Sequence, residues 1–190
     1  LNSGKTLIQT VDFFTPIVDD PYEFGLIAAA NALSDIYASG AAPSVVLNLA
    51  GFPKGWDDET LAQVFAGAVE KVKESGALWV GGHTVHSTEP SFGFSVFGEL
   101  ASAEELLTNS AARPGDALFL TKALGTGLVN AAVNKGQASE DVVATAVASM
   151  SRLNVDFLPA AKACGVRAAT DVTGFGLFGH ASNLARASKV

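Results

Sequence analysis

Three carboxylates stand in stretches that are otherwise apolar or small. They are Asp12 in Gln9-Thr10-Val11-Asp12-Phe13-Phe14, Asp35 in Asn31-Ala32-Leu33-Ser34-Asp35, and Asp171 in Thr170-Asp171-Val172-Thr173-Gly174-Phe175-Gly176. A carboxylate beside a glycine-rich turn suits a cation held against phosphate oxygens, because turn amides can point at the anion. Magnesium takes oxygen ligands and keeps waters and substrate phosphates in its shell. Asp12, Asp35 and Asp171 are therefore expected to converge on a nucleotide and its magnesium ion. Gly81-Gly82-His83-Thr84 offers a second glycine turn for phosphate oxygens, although Gly-Gly also marks ordinary turns. His83 and His86 could suggest a metal pair, but no third nitrogen or sulfur ligand lies nearby in sequence. The glycines of Lys122-Ala123-Leu124-Gly125-Thr126-Gly127 lack the spacing of a Walker phosphate loop, and no Ser-His-Asp spacing stands out for acyl transfer.

The elements that must position these residues follow from periodicity. Lys5 to Phe14 reads as a strand in which Asp12 interrupts the apolar run; Asp12 could also be only a strand-end turn former. Pro21 to Ser39 reads as a helix opened by Pro21 and capped by Asp19 or Asp20. Asn31 and Asp35 are four apart on it and point the same way. Asp is a poor helix-interior residue, and the alanine-rich flanks argue that this face is not simply wet, although a solvated edge would also fit. Ser44 to Ala50 is a strand. A cap at Asp57 or Asp58 starts an amphipathic helix from Glu59 to Ser75, with Leu61, Val64, Phe65, Ala68, Val69 and Val72 as its buried stripe. Ala77 to Val80 is a short strand entering the Gly81-Gly82 turn, and Ser91 to Leu100 is another strand.

Around 101–112 the composition turns polar and small, and Arg113-Pro114-Gly115-Asp116 is a turn signal. A domain boundary is placed near residue 108. Beyond it Ala117 to Thr121 reads as a strand, and Gly127 to Asn134, Glu140 to Ser149 and Arg152 to Ala163 as helices. Gly165 to Ala169 reads as a short buried strand leading to Asp171, and Leu177 to Ala187 as a final helix.

Of the 190 residues 48% are hydrophobic and 16% charged, which supports a sizeable core and argues against disorder. The net charge of −7 gives no electrostatic case for nucleic acid or an anionic membrane. Cys164 is the single cysteine, so an intrachain disulfide is impossible and a cysteine-built zinc site is disfavoured; a reducing, cytoplasmic setting is expected. Cys164 itself reads as a buried helix-end residue. No apolar run is long enough to span a membrane.

The strings at 9–22, 28–40, 81–84 and 170–180 closely resemble the selenophosphate synthetase (selenide, water dikinase) family of the aminoimidazole-ribonucleotide-synthetase-like ATP-binding superfamily. The similarity runs through essentially the whole chain in the same order. The resemblance implies an α+β fold in two domains. Residues 1–107 would form an N-terminal domain whose strands build a dimeric β-barrel with a second copy, and 108–190 a truncated α/β C-terminal domain. It implies the conversion of ATP, selenide and water to selenophosphate, AMP and orthophosphate. Carried over by position, Asp12 would contact ATP through the phosphate–metal cluster and Asp35 would bind both magnesium and ATP. Asp171 would be a magnesium ligand. Gly82, His83 and Thr84 would reach the ATP of the partner subunit in a homodimer. Asn31 is added on the present reading as a neighbour of the phosphates.

The family also carries a glycine-rich segment with a reactive cysteine or selenocysteine and a lysine, and an upstream acidic metal-binding segment. Both are expected to lie before Leu1, and Cys164 does not occupy the reactive position. The chain is thus expected to be a core fragment unable to complete the reaction alone. Ser39-Gly40-Ala41 replaces the Met-Gly-Gly that is frequent in the family, a change given little weight. The alternatives are another enzyme of the superfamily, such as a thiamine-phosphate kinase, a purine-pathway ligase or a hydrogenase-maturation protein, or a non-catalytic nucleotide-binding dimerisation module.

Overall fold

The computed structural model describes residues 4–190. The element order is β1 (Thr6–Phe14), α1 (Pro21–Ala38), β2 (Ala42–Phe52), α2 (Asp58–Ser75), β3 (Leu78–His86) and β4 (Ser91–Leu100). A 3-10 turn at Ala103–Glu105 follows, then α3 (Thr126–Val133), α4 (Glu140–Ser151), α5 (Phe157–Cys164) and α6 (Gly176–Ser188). The strands form one sheet in the order β1-β4-β2-β3. β4 is antiparallel to both β1 and β2, whereas β2 and β3 are parallel. A parallel pair needs a crossover, and α2 supplies it.

Strict alternation decides which face of the sheet is covered. Along β1, Ile8, Thr10, Asp12 and Phe14 are half-buried while Leu7, Gln9, Val11 and Phe13 are exposed. The covered face carries Phe92, Phe94, Val96, Val46 and Phe52, which form one core with Phe24, Leu33 and Ile36 of α1 and Val64 and Ala68 of α2. The caps are resolved: Asp20 accepts from the Glu23 amide at 2.9 Å and Asp57 from the Thr60 amide at 2.7 Å. The two helices cross at glycines. A Cβ on Gly25 would collide with the Val64 carbonyl, and one on Gly67 with the Tyr22 carbonyl.

The C-terminal part meets α1 through α4 and the segment after it. Leu153 is buried, and the Asn154 amide donates to Ser34 Oγ at 3.0 Å. Several sequence expectations are corrected. Gly81-Gly82 is not a turn: β3 runs on through both glycines to His86. Ala117 to Thr121 and Gly165 to Ala169 form no strand, because no neighbour among the described residues offers them a ladder. Phe119 is accordingly 85% exposed. The helix expected from Arg152 starts at Phe157, since Arg152 is extended and ends α4. Cys164 is exposed rather than buried, because α5 buries only Ala161. Among the described residues no helix is long and apolar enough to cross a membrane.

Candidate functional site

Thr10 and Asp12 lie two apart on β1 and so share its covered face. Asn31 and Asp35 lie one turn apart on α1, which runs across that face. The two elements are stitched together at both positions. The Asn31 amide donates to Asp12, and the Thr10 hydroxyl donates to Asp35. Asp171 arrives from the other part of the chain and comes within hydrogen-bonding reach of Asp35. Two backbone bonds bring it there. The Leu107 amide donates to the Ser39 carbonyl at 3.1 Å, and the Thr108 amide to the Arg167 carbonyl at 3.3 Å. The linker thus ties the end of α1 to the segment that leads into Asp171.

These parts border a cavity of about 280 Å³ whose polar lining includes Gln9, Thr10, Asp35, Thr108, Asn109 and Asp171. Asp12, two residues along β1 from Thr10, and Asn31, one turn along α1 from Asp35, adjoin the residues that border the cavity. The electrostatics record the crowding. The Asp171 carboxyl is pushed up to about 7, first by burial, then by the Asp35 charge and contact, with a smaller push from Asp12. Burial also raises the Asp12 carboxyl; the Asn31 hydrogen bond draws it back and the Asp35 charge adds to the rise. Like charges held together in a partly buried place disfavour ionisation unless a counter-charge is supplied. A hard cation would provide one, and oxygen donors alone fit magnesium. Among the described residues no three His, Cys, Asp or Glu side chains are grouped to hold a metal ion by themselves. The donor set therefore fits an ion that completes its shell with phosphate oxygens and water.

Gly82, His83 and Thr84 lie elsewhere. They sit on β3, the sheet edge opposite β1, and are exposed. Gly82 is nevertheless in the same cross-sheet row as Asp12, through Phe94 and Asn48. Within one chain two strands separate them, roughly 14 Å at sheet spacing. His83 and His86 point to opposite faces of β3, as residues three apart on a strand must, so they form no metal pair.

Sequence reasoning missed Thr10, Thr108 and Asn109. The period-2 pattern put Thr10 on the same face as Asp12 and could have exposed it. Nothing in the polar linker marked Thr108 or Asn109. It also missed Asn48, a buried amide in mid-strand, where a polar residue is costly unless bonded.

Comparison with known proteins follows the same lines. The family model described as "AIR synthase related protein, N-terminal domain" matches residues 1–100, and that for the C-terminal domain matches 113–190. A selenide, water dikinase of Clostridioides difficile (strain 630) is 47% identical over 190 residues, covering all of this chain and 54% of that protein. The chain thus spans about half the length of the curated relatives it matches. Among solved structures, thiamine monophosphate kinase from Aquifex aeolicus aligns with a TM-score of 0.82 at 20% identity, over 97% of this chain and 64% of that one. A hydrogenase maturation protein in complex with ATP aligns with a TM-score of 0.80 at 22% identity, over 96% and 56%. At such identities these two structures speak for the fold alone. A shared α+β architecture and two consecutive family matches lead to one conclusion: this chain belongs to the AIR synthase related proteins.

Proposed function

We propose that this chain is the nucleotide- and magnesium-binding core of a selenide, water dikinase, which converts ATP, selenide and water to selenophosphate, AMP and orthophosphate. The observation that carries this reading is the meeting of Asp35 with Asp171 in a polar cavity, from elements more than a hundred residues apart. The whole-chain similarity to selenide, water dikinases supports selenide as the acceptor. The division into 1–107 and 108–190 belongs to the same reading, supported by family matches that stop at 100 and resume at 113.

Asp35 and Asp171 would hold magnesium, and Asp12 would contact ATP through the phosphate–metal cluster. Bound there, the ion would neutralise charge on the phosphate oxygens. The chain's own groups do the positioning on which phosphoryl transfer depends. Thr10 fixes the Asp35 carboxyl, and Asn31 fixes Asp12 while standing beside the phosphates. Among the described residues β1 and β3 are the two edges of the sheet, and its uncovered face carries Leu7, Val11, Phe13, Leu78 and Val85. A second copy laid edge to edge would bury that face in a closed barrel. It would also set Gly82, His83 and Thr84 beside the partner's carboxylates and ATP. Sedimentation checks this: a dimer is expected, and Val11→Lys with Phe13→Lys should give monomer.

The reaction is tested on the full-length protein. AMP and orthophosphate are expected from ATP only when selenide is present. ADP as the final product, without AMP, would place the protein in another branch of the superfamily.

A further inference from the structure

Asn48 sits in the centre of the sheet, 7% exposed, among Val46, Ala50 and Phe94. Asn is a poor strand former and a buried amide costs stability unless it is bonded. Its side-chain oxygen accepts from the Trp79 indole N–H at 3.3 Å. The same N–H donates to the Gly81 carbonyl at 3.0 Å. Trp79 is in turn wedged against Phe94 and Phe65, with ring centroids 4.8 and 5.9 Å away.

These bonds close over an irregular step in the sheet. The pairing of β2 with β3 shifts between Val46 and Leu47: Val46 faces Trp79, but Leu47 faces Gly81, so Val80 is the extra residue. Gly81 and Gly82 take φ of +155° and +152°, values that side chains disfavour. A Cβ on Gly82 would overlap the Asn48 side-chain oxygen and its carbonyl. The Asn48 side chain therefore occupies the space that a residue at 82 would use. A bulge re-aims the chain that follows it, and here that chain is Gly82, His83 and Thr84.

We propose that Asn48 and Trp79 form a positioning clamp. It locks the Gly81-Gly82 bulge so that the β3 edge presents Gly82, His83 and Thr84 to the partner subunit's nucleotide. This rests on the assignment of that edge to ATP made above. The clamp residues touch no nucleotide; they act through the bulge. It also explains why two glycines persist in a strand, where each weakens the ladder.

The test uses three variants of the full-length protein: Trp79→Phe, Asn48→Leu, and the two combined. ATP affinity is read by calorimetry in magnesium buffer, the amides of 82–84 by hydrogen exchange, and stability by thermal melting. Trp79→Phe leaves the buried Asn48 oxygen unsatisfied and should melt earlier, whereas in Asn48→Leu the Trp79 N–H keeps its bond to the Gly81 carbonyl and the loss should be smaller. The double removes both partners and should recover much of the melting temperature. ATP affinity should fall about tenfold, the equivalent of one such bond, in all three variants, with faster exchange at 82–84. Affinity that recovers together with the melting temperature in the double variant would overturn positioning and leave a merely structural pair. Unchanged exchange at 82–84 would overturn the clamp. Faster exchange with unchanged ATP affinity would detach that edge from the nucleotide. Binding is read without selenide, so loss of the selenium chemistry alone would sink the proposed reaction and not this inference.

Discussion

Asp171→Asn is expected to weaken magnesium-dependent ATP binding by about a hundredfold or more, and Asp35→Asn by a similar factor. Removing a charged partner from a partly buried ionic site costs about 3–5 kcal/mol, and every 1.4 kcal/mol is tenfold. Titration calorimetry with ATP at fixed magnesium checks both variants. Unchanged affinity and turnover would remove the site assignment. The same substitution at 171 should stabilise the unliganded protein above neutral pH. The folded-state pKa of Asp171 is raised to about 7 from 3.8. The folded state thus holds a proton that the unfolded chain has lost, and stability falls as pH rises from about 4 through 7. Asn carries no charge to confine and escapes that fall. The gain is on the order of 1–2 kcal/mol at pH 8, once solvent screening of a partly exposed group is discounted.

Gly25→Val should be among the most damaging substitutions outside the site. Its Cβ would overlap the Val64 carbonyl and press on the Ala68 amide, so α1 and α2 must separate. Both Val64 and Ala68 are fully buried, and a backbone cannot yield as a side chain tip can. Overpacking costs about 1–3 kcal/mol where side chains adjust; against backbone, about 3 kcal/mol or more is expected. That is a large share of a typical stability of about 5–15 kcal/mol. Gly127→Ala serves as the control. It is also helical, but nothing lies within 4 Å of its Cβ position, and it should gain about 0.5–1 kcal/mol. Urea denaturation of both variants decides the matter: equal midpoints would mean that the helix crossing is looser than described. Separation of α1 from α2 would also displace Asn31 and Asp35, so ATP affinity should fall with stability.

Much of this architecture was legible beforehand where a local pattern and the tertiary environment agree. The period-2 run of β1, the apolar stripe of α2 and the phenylalanines of β4 each read correctly because one face is buried. Asp12, Asn31, Asp35 and Asp171 drew notice because each lies in a stretch made mostly of apolar or small residues. Gly81-Gly82 misled because glycine pairs favour turns, whereas here a bulge locked by Asn48 and Trp79 keeps them in a strand. Ala117 to Thr121 misled in the opposite sense. Its residues suit a strand, but a strand exists only with a neighbour, and none is described. Thr10 and Asn48 escaped notice because a polar residue in a strand is read by default as facing water. The linker residues Thr108 and Asn109 acquire meaning only once the segment before Asp171 folds back onto the end of α1.

The central proposal is that the crowded carboxylates from β1, α1 and the turn before α6 share a divalent cation. The melting temperature of the unliganded protein across pH 5 to 8, with and without magnesium, tests it most directly. Without magnesium the melting temperature should drop as pH rises through about 7; with magnesium the drop should vanish, and Asp171→Asn should show neither effect. A flat profile that ignores magnesium and is identical in wild type and Asp171→Asn would contradict it.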